Sequence, residues 1–424
     1  MKRVLVFSSN TGYNWGDAAM FFVAVNRIKS LLKDEKIEFL SVETNEVVKN
    51  WADQLGLNYQ LVEEESKAWL TQRPLLSLLN RKCPGFIDNA YIYVPFFMNA
   101  MVKLKANMLY GGIKDKISKF IDMVKKSDLI LFSGGGYIND IFGTGEKALN
   151  LVLLAKGLGK PVAMMGQGIG PIQSDHFFNK ARRALPKVDL IALREKKYSL
   201  PLLYSLGVQP ENVVVTGDDA IEIIAQEKEL PQIETNSGIG INVRVSFYSD
   251  ICENVLRKIS HVLDCIRKKY FEFELYPIPI QFRGSNNDLH NILQIFNCIV
   301  ISFDREKVDC FNIFDNLINN IRKCRIVITG SYHAAVFALS MGIPVISIYG
   351  TEYYRQKFVG LADMFEAGCV TIDVNREDFE KKMIDVVSEL YLNASQFREI
   401  LLKKRDEQVR LGKEAYNKLL RLIR

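Results

Sequence analysis

Short, continuously apolar runs of strand length alternate with helix-patterned segments along almost the whole chain. The first series is RVLVFSS from Arg3, KIEFLSV from Lys36, LILFSGGG from Leu129, VAMMGQGIG from Val162, LIALRE from Leu190 and VVVTGDD from Val213. The second is GIGINVR from Gly238, FEFELYPI from Phe271, CIVIS from Cys298, RIVITG from Arg325, PVISIYG from Pro344 and VTIDV from Val370. A strand that is apolar on both faces has to be covered on both, as parallel strands in βαβ units are. The alternation therefore predicts an α/β protein with doubly wound parallel sheets.

The series breaks at residues 226–237, a polar stretch holding Pro231, and 424 residues are too many for one ordinary core. This predicts an N-terminal domain over 1–228, a C-terminal domain over 237–393 and a charged amphipathic helix over 394–424, packing back across the first domain. Residues 50–125 depart from the βα repeat and read as a helical insertion. Within it, the Met/Phe run at 95–101 is either packing surface or the lining of an acceptor groove.

A composition of 48% hydrophobic and 25% charged residues is that of a globular protein. The net charge of +6 suits anionic substrates or an acidic membrane surface but falls short of a nucleic-acid footprint. Cys83, Cys252, Cys265, Cys298, Cys310, Cys324 and Cys369 are scattered, odd in number and without CxxC spacing. They read as reduced, buried thiols of a cytoplasmic protein, with neither a disulfide framework nor a metal site. The apolar run after Lys2 and Arg3 is too short for a signal-peptide core, and no stretch of about 18 apolar residues suggests a spanning helix.

In such sheets, ligands bind outside the carboxyl ends of the strands, so the residues there are the candidates. After the first strand come Asn14, Gly16 and Asp17. Asp17 either caps the helix expected from about Ala18 or faces a ligand. Gly134, Gly135 and Gly136 follow LILFS, serving either tight packing or a ligand loop. They form neither a GxGxxG fingerprint nor a Walker A motif. Gln167, among the glycines of GQGIGPI, could hydrogen-bond a sugar hydroxyl. Arg194, ending LIALRE ahead of Ser199, should pair with a carboxylate or bind an anion. Asp218 and Asp219 are candidate partners.

The strongest candidate is His333, just past RIVITG at a helix start beside Gly330. Imidazole titrates near neutrality and suits general acid/base work. Arg355 and Lys357, after the next strand, could clamp a phosphate or a carboxylate at the same mouth. His176, His261 and His290 lack such neighbours and read as surface or structural. In the C-terminal helix, basic residues and leucines read as a solvated face over a packed one. Peripheral contact with anionic lipid is the sharper alternative.

This ordered set resembles the polysaccharide pyruvyl transferase family: Asn14-Trp15-Gly16-Asp17, Gly134-Gly135-Gly136, GQGIGPI, Arg194 with Ser199, Asp218, and the block from His333 to Lys357. The resemblance implies two Rossmann-like domains in a GT-B-like arrangement, without a cofactor. It also implies transfer of pyruvate from phosphoenolpyruvate, as a ketal, to a sugar of a surface polysaccharide or its lipid-linked precursor at the inner face of the membrane. Arg194 and Lys357 would bind the donor's anionic groups, with Arg355 nearby, and His333 would move the proton. Asp17 and Asp218 would orient the acceptor or act as base, with Asn14, the glycine mouths and Gln167 on the acceptor side.

Two positions depart from the family pattern. Ser331 stands where a basic residue often precedes the histidine by two, and Asp219 stands where a proline usually follows the aspartate. Two other functions share this fold: a nucleotide-sugar glycosyltransferase, with Glu352 for the ribose, and a non-catalytic subunit of a polysaccharide assembly complex.

Overall fold

The computed structural model describes residues 2–8, 14–33, 37–41, 59–72, 100, 113–246, 248–270, 272–281, 287–299 and 314–423. The chain forms two compact units. One comprises Met1–Gly12, Met20–Asp219 and Leu411–Arg424, and the other Tyr13–Ala19 and Ala220–Arg410. The change of unit thus falls directly after Asp219, ahead of the polar stretch. Two pieces cross over in sequence: a short segment around Trp15 joins the second unit, and the end of the chain joins the first.

In the first unit, β1 (Lys2–Phe7) leads into α1 (Trp15–Leu31), β2 (Ile37–Ser41) and β3 (Tyr59–Leu61). Then follow α2 (Glu63–Gln72), α3 (Ile113–Lys126), β4 (Leu129–Phe132), β5 (Gly135–Ile138), α4 (Gly143–Gly157) and β6 (Val162–Ile169). The unit continues with α5 (Asp175–Ala184), β7 (Leu190–Leu193), α6 (Ser199–Ser205) and β8 (Val213–Val215). The strand order is β3-β2-β1-β4-β6-β7-β8, with β5 beside β6, and every pairing is parallel. All eight residues of β6 are buried, as its unbroken apolar run requires of a doubly covered strand. Phe7, Phe132, Trp69 and Phe120 lie in the core of this unit. Of the expected insertion, β3, α2, α3 and Ala100 are described; the rest of the Met/Phe run lies outside the described residues.

The second unit holds α7 (Ile221–Ala225), β9 (Gly238–Asn242), α8 (Glu253–Lys269), β10 (Glu274–Pro277), α9 (Asp288–Cys298) and α10 (Phe314–Arg322). It continues with β11 (Cys324–Thr329), α11 (Tyr332–Ser340), β12 (Val345–Tyr349), α12 (Glu352–Phe365), β13 (Cys369–Asp373) and α13 (Phe379–Ile423). Its sheet is parallel throughout in the order β10-β9-β11-β12-β13. The order reverses between β9 and β11, which makes the carboxyl ends of those strands the topological switch point. The strand expected at CIVIS is not formed where it can be seen, because Cys298 closes α9 and Ile299 caps it; Val300–Ser302 lie outside the described residues.

Helix α13 is amphipathic over its whole length. Leu401, Ala415, Tyr416, Leu419 and Ile423 are buried, so the apolar face that a lipid contact needs is largely packed on protein. No helix among the described residues is long and apolar enough to cross a membrane. Among the described cysteines, all free, Cys324 is buried, but Cys252 and Cys298 are exposed, against the expectation of buried thiols.

Asp219 explains its own departure from the family pattern. Its carboxylate accepts from Arg27 Nη1 at 3.0 Å and from the Tyr416 hydroxyl at 2.8 Å. The Arg27 guanidinium also lies 4.7 Å from the centre of the Tyr416 ring. A proline here could not hold the end of α13 onto α1 within the first unit. Asp219→Ala leaves Arg27 buried without this carboxylate and is expected to lower stability by about 3–5 kcal/mol. Tyr416→Phe, which removes one hydrogen bond, should cost about 1 kcal/mol. Urea denaturation of both variants checks the ranking.

Candidate active site at the switch point of the second sheet

β9 and β11 run side by side, pairing Asn242 with Thr329. Two residues beyond Asn242 comes Arg244; four beyond Thr329 comes His333 in the first turn of α11. Thr329 fixes the turn between strand and helix, its hydroxyl accepting from the Ser331 amide at 2.8 Å and donating to Asn242 Oδ1 at 3.2 Å. Ser331 is buried as the residue before α11. Both flanks of the switch point therefore carry chemistry: a guanidinium on one side and an imidazole on the other.

Arg244 is 7% exposed and Asp288 fully buried. Asp288 accepts from Arg244 Nε at 2.8 Å and from Nη2 at 2.9 Å, a two-point pairing. It also accepts from Asn242 Nδ2 at 2.9 Å and from the amides of Ile280 at 3.0 Å and Gln281 at 2.9 Å. Burial alone would weaken the charge on Arg244, but Asp288 outweighs it and raises the guanidinium well above its ordinary value. Burial likewise pushes the Tyr354 phenol above the usual range, with the neighbouring Arg244 opposing it. Tyr354 thus stays protonated.

The residues that Asp288 holds receive the Asn14 segment. Trp15 donates its amide to the Ile280 carbonyl at 3.1 Å, and Asn14 Nδ2 donates to Gln281 Oε1 at 3.2 Å. The Trp15 ring packs on Phe314 at 5.4 Å, and Phe314 on Phe337 of α11 at 5.6 Å. Asn14, not Asp17, caps α1: its Oδ1 accepts from the amides of Gly16 at 3.0 Å and Asp17 at 3.3 Å. The helix begins at Trp15, earlier than the sequence suggests, so Asp17 sits half-buried in its first turn. A β-carbon on Gly16 would lie 2.0 Å from Cγ and Nδ1 of His333. Glycine here is what lets the backbone pass against the imidazole.

The Tyr332 ring lies 5.3 Å from the His333 ring, edge-on. Lys357 Nζ lies 5.8 Å from the centre of that ring, 4.1 Å from Tyr353 and 5.5 Å from Tyr354. Tyr354 stacks on Tyr248 at 6.2 Å. An unbroken chain of contacts thus runs from His333 through Tyr332, Lys357 and Tyr354 to Arg244. Arg355 is engaged differently, its Nε and Nη2 donating to Glu352 at 2.6 and 2.7 Å. Arg355, with burial opposing, holds the Glu352 carboxylate below its ordinary range. Gln356 donates to the same carboxylate at 2.9 Å.

The remaining sequence candidates lie in the first unit and are engaged in its interior. Arg194 pairs with Asp218 at 3.4 Å, and both side chains are buried, as the ion-pair reading has it. Ser199 donates its hydroxyl to the Glu195 carboxylate and accepts from the Ile169 amide. Gln167, fully buried, donates to the carbonyls of Ser133 at 2.7 Å and Met165 at 3.0 Å. A β-carbon on Gly134 would stand 2.5 Å from Met20 Sδ, which is close helix packing; Gly135 and Gly136 open β5. Arg244 escaped the sequence reading although the rule that singled out Arg194, a cation ending a buried strand, applies equally to GIGINVR.

A model of the family described as Polysaccharide pyruvyl transferase matches residues 14–351. The amylovoran biosynthesis protein AmsJ of Erwinia amylovora is 23% identical over 285 residues, covering 63% of this chain and 66% of that protein. The match therefore spans just under two thirds of the relative's length. Among solved structures, the UDP-GlcNAc 2-epimerase of Neisseria meningitidis bound to UDP-GlcNAc superposes with a TM-score of 0.56 at 15% identity, covering 99% of this chain and 100% of that one. S. aureus MnaA with UDP gives 0.53 at 14%, covering 98% and 94%. A glycosyltransferase of Rickettsia africae gives 0.53 at 13%, covering 99% and 98%. At such identities the likeness shows the fold alone: two parallel-sheet α/β domains of the GT-B kind with a helical C-terminus.

Gly16→Ala is expected to displace the His333 ring. With only four histidines in the chain, the imidazole resonances are readily assigned by substitution. The His333 signal should shift in the Gly16→Ala protein while those of His176, His261 and His290 stay in place.

Proposed function

The chain belongs to the polysaccharide pyruvyl transferase family, and on that footing we propose that it moves pyruvate from phosphoenolpyruvate onto a sugar as a ketal. The sugar belongs to a cell-surface polysaccharide or its lipid-linked precursor. A relative named for amylovoran biosynthesis fits this reading. The observation that carries it is a buried Arg244 held by Asp288 beyond the end of β9, with His333 beyond the adjoining β11 and Lys357 over the ring of Tyr332, the neighbour of His333.

Phosphoenolpyruvate carries a phosphate and a carboxylate, and Lys357 and Arg244 take one each. This assignment moves the second cation from Arg194, which is buried against Asp218 in the other unit. His333 gives a proton to the C3 methylene, leaving an oxocarbenium-like centre at C2. A sugar hydroxyl attacks C2 and its proton passes to a base, for which Asp17 is the candidate in this unit. Phosphate then leaves with the C2–O electron pair, and a second hydroxyl closes the ketal with loss of its proton. The proton that His333 gives up is thereby returned overall. Arg355 remains an outer cation of the same mouth, tied to Glu352. A lipid-linked acceptor would bring the protein to the inner face of a membrane without help from α13.

The two competing functions give different outcomes in one experiment. Thermal stabilisation by phosphoenolpyruvate is expected, and it should be lost in Lys357→Met. His333→Ala should keep the stabilisation and lose phosphate release with a lipid-linked acceptor by about 10²–10⁴-fold. Stabilisation by a UDP-sugar alone would instead indicate a glycosyltransferase, and His333→Ala without consequence would indicate an assembly subunit.

A further inference from the structure

Three tyrosine rings surround the Lys357 ammonium, the nearest at 4.1 Å from ring centre to Nζ. Tyr353 and Tyr354 precede Lys357 by four and three residues on α12, the spacing that places side chains on one helix face. Tyr332 reaches in from α11, next to His333. The rings brace one another, with Tyr353 edge-on to Tyr354 at 5.3 Å and Tyr354 stacked on Phe358 at 5.7 Å and Tyr248 at 6.2 Å. All three tyrosines are buried.

Lysine is a point charge on a flexible stem, and a site that binds through it has to restrict that stem. Aromatic faces do so by attracting the ammonium through their quadrupole. Two residues away, Arg355 is held instead by the Glu352 carboxylate. Tyr354 has a second neighbour, because Arg244 acts on it and on Tyr248 from the β9 side. One braced ring therefore neighbours both cations.

We propose that Tyr332, Tyr353 and Tyr354 are positioning residues that seat Lys357, and that Tyr354 sets its separation from Arg244. The site then selects a short ligand with two anionic groups over a single phosphate. This rests on the reading of Lys357 and Arg244 as donor-binding residues.

Calorimetric titration of the whole protein with phosphoenolpyruvate, and separately with inorganic phosphate, tests it. Lys357→Met checks the underlying reading: if it leaves phosphoenolpyruvate affinity unchanged, that reading falls. If it weakens binding, the tyrosines are then decisive. Tyr354→Leu should weaken phosphoenolpyruvate binding roughly tenfold and phosphate binding much less. Equal loss for both ligands, or no loss, overturns the proposal. Because a leucine variant could fail to fold, Tyr353→Phe is compared with its mono-, di- and trifluorinated phenylalanine counterparts, which keep the shape and drain the ring face of charge. Affinity falling stepwise with fluorine count supports the seat, and affinity independent of fluorination overturns it.

Discussion

Asp288 is the group on which the second unit's site depends. A carboxylate taken wholly out of water is costly unless its oxygens are satisfied, and here every satisfying bond also fixes something else. Two bonds hold Arg244 at the end of β9, one holds Asn242, and two hold the backbone of Ile280 and Gln281. That backbone in turn docks Asn14 and Trp15, which sets Gly16 against the His333 imidazole. One buried charge thereby couples a cation on one flank of the switch point to the histidine on the other. Its place in the first turn of α9 adds the favourable helix dipole.

Both units pair their buried arginines with buried aspartates, and the second adds a lysine set on aromatic faces. In the first, Arg27 is held by Asp219 and Arg194 by Asp218, pairs that tie helices and strand ends together. In the second, Arg244 is held at the end of β9 by Asp288, and Lys357 lies over the rings of Tyr332, Tyr353 and Tyr354. The Arg244 guanidinium lies just beyond the end of β9, at the switch point where open α/β sheets take their ligands.

Much of the architecture was legible in the sequence, because continuous apolar runs and helical periods are local signals. The strand runs at Val162, Leu190 and Arg325 correspond to β6, β7 and β11. What the sequence concealed depends on distance along the chain. Nothing near Asn14 says that it will meet Gln281, 267 residues away, and nothing at Asp219 announces Tyr416. Cys298, read as the start of a strand, ends α9 instead, since periodicity alone does not separate a strand from the end of a helix. His333 is a candidate legible from its local context at a strand end. Arg244 carried the same signal, but its partner Asp288 lies beyond another strand.

The most direct measurement is an experimental structure of the protein with phosphoenolpyruvate bound. The donor is expected at the switch point between β9 and β11, its two anionic groups on Arg244 and Lys357 and its methylene carbon facing His333. Donor density at the strand ends of the first unit, on Arg194 or the Gly134 turn, would contradict the account.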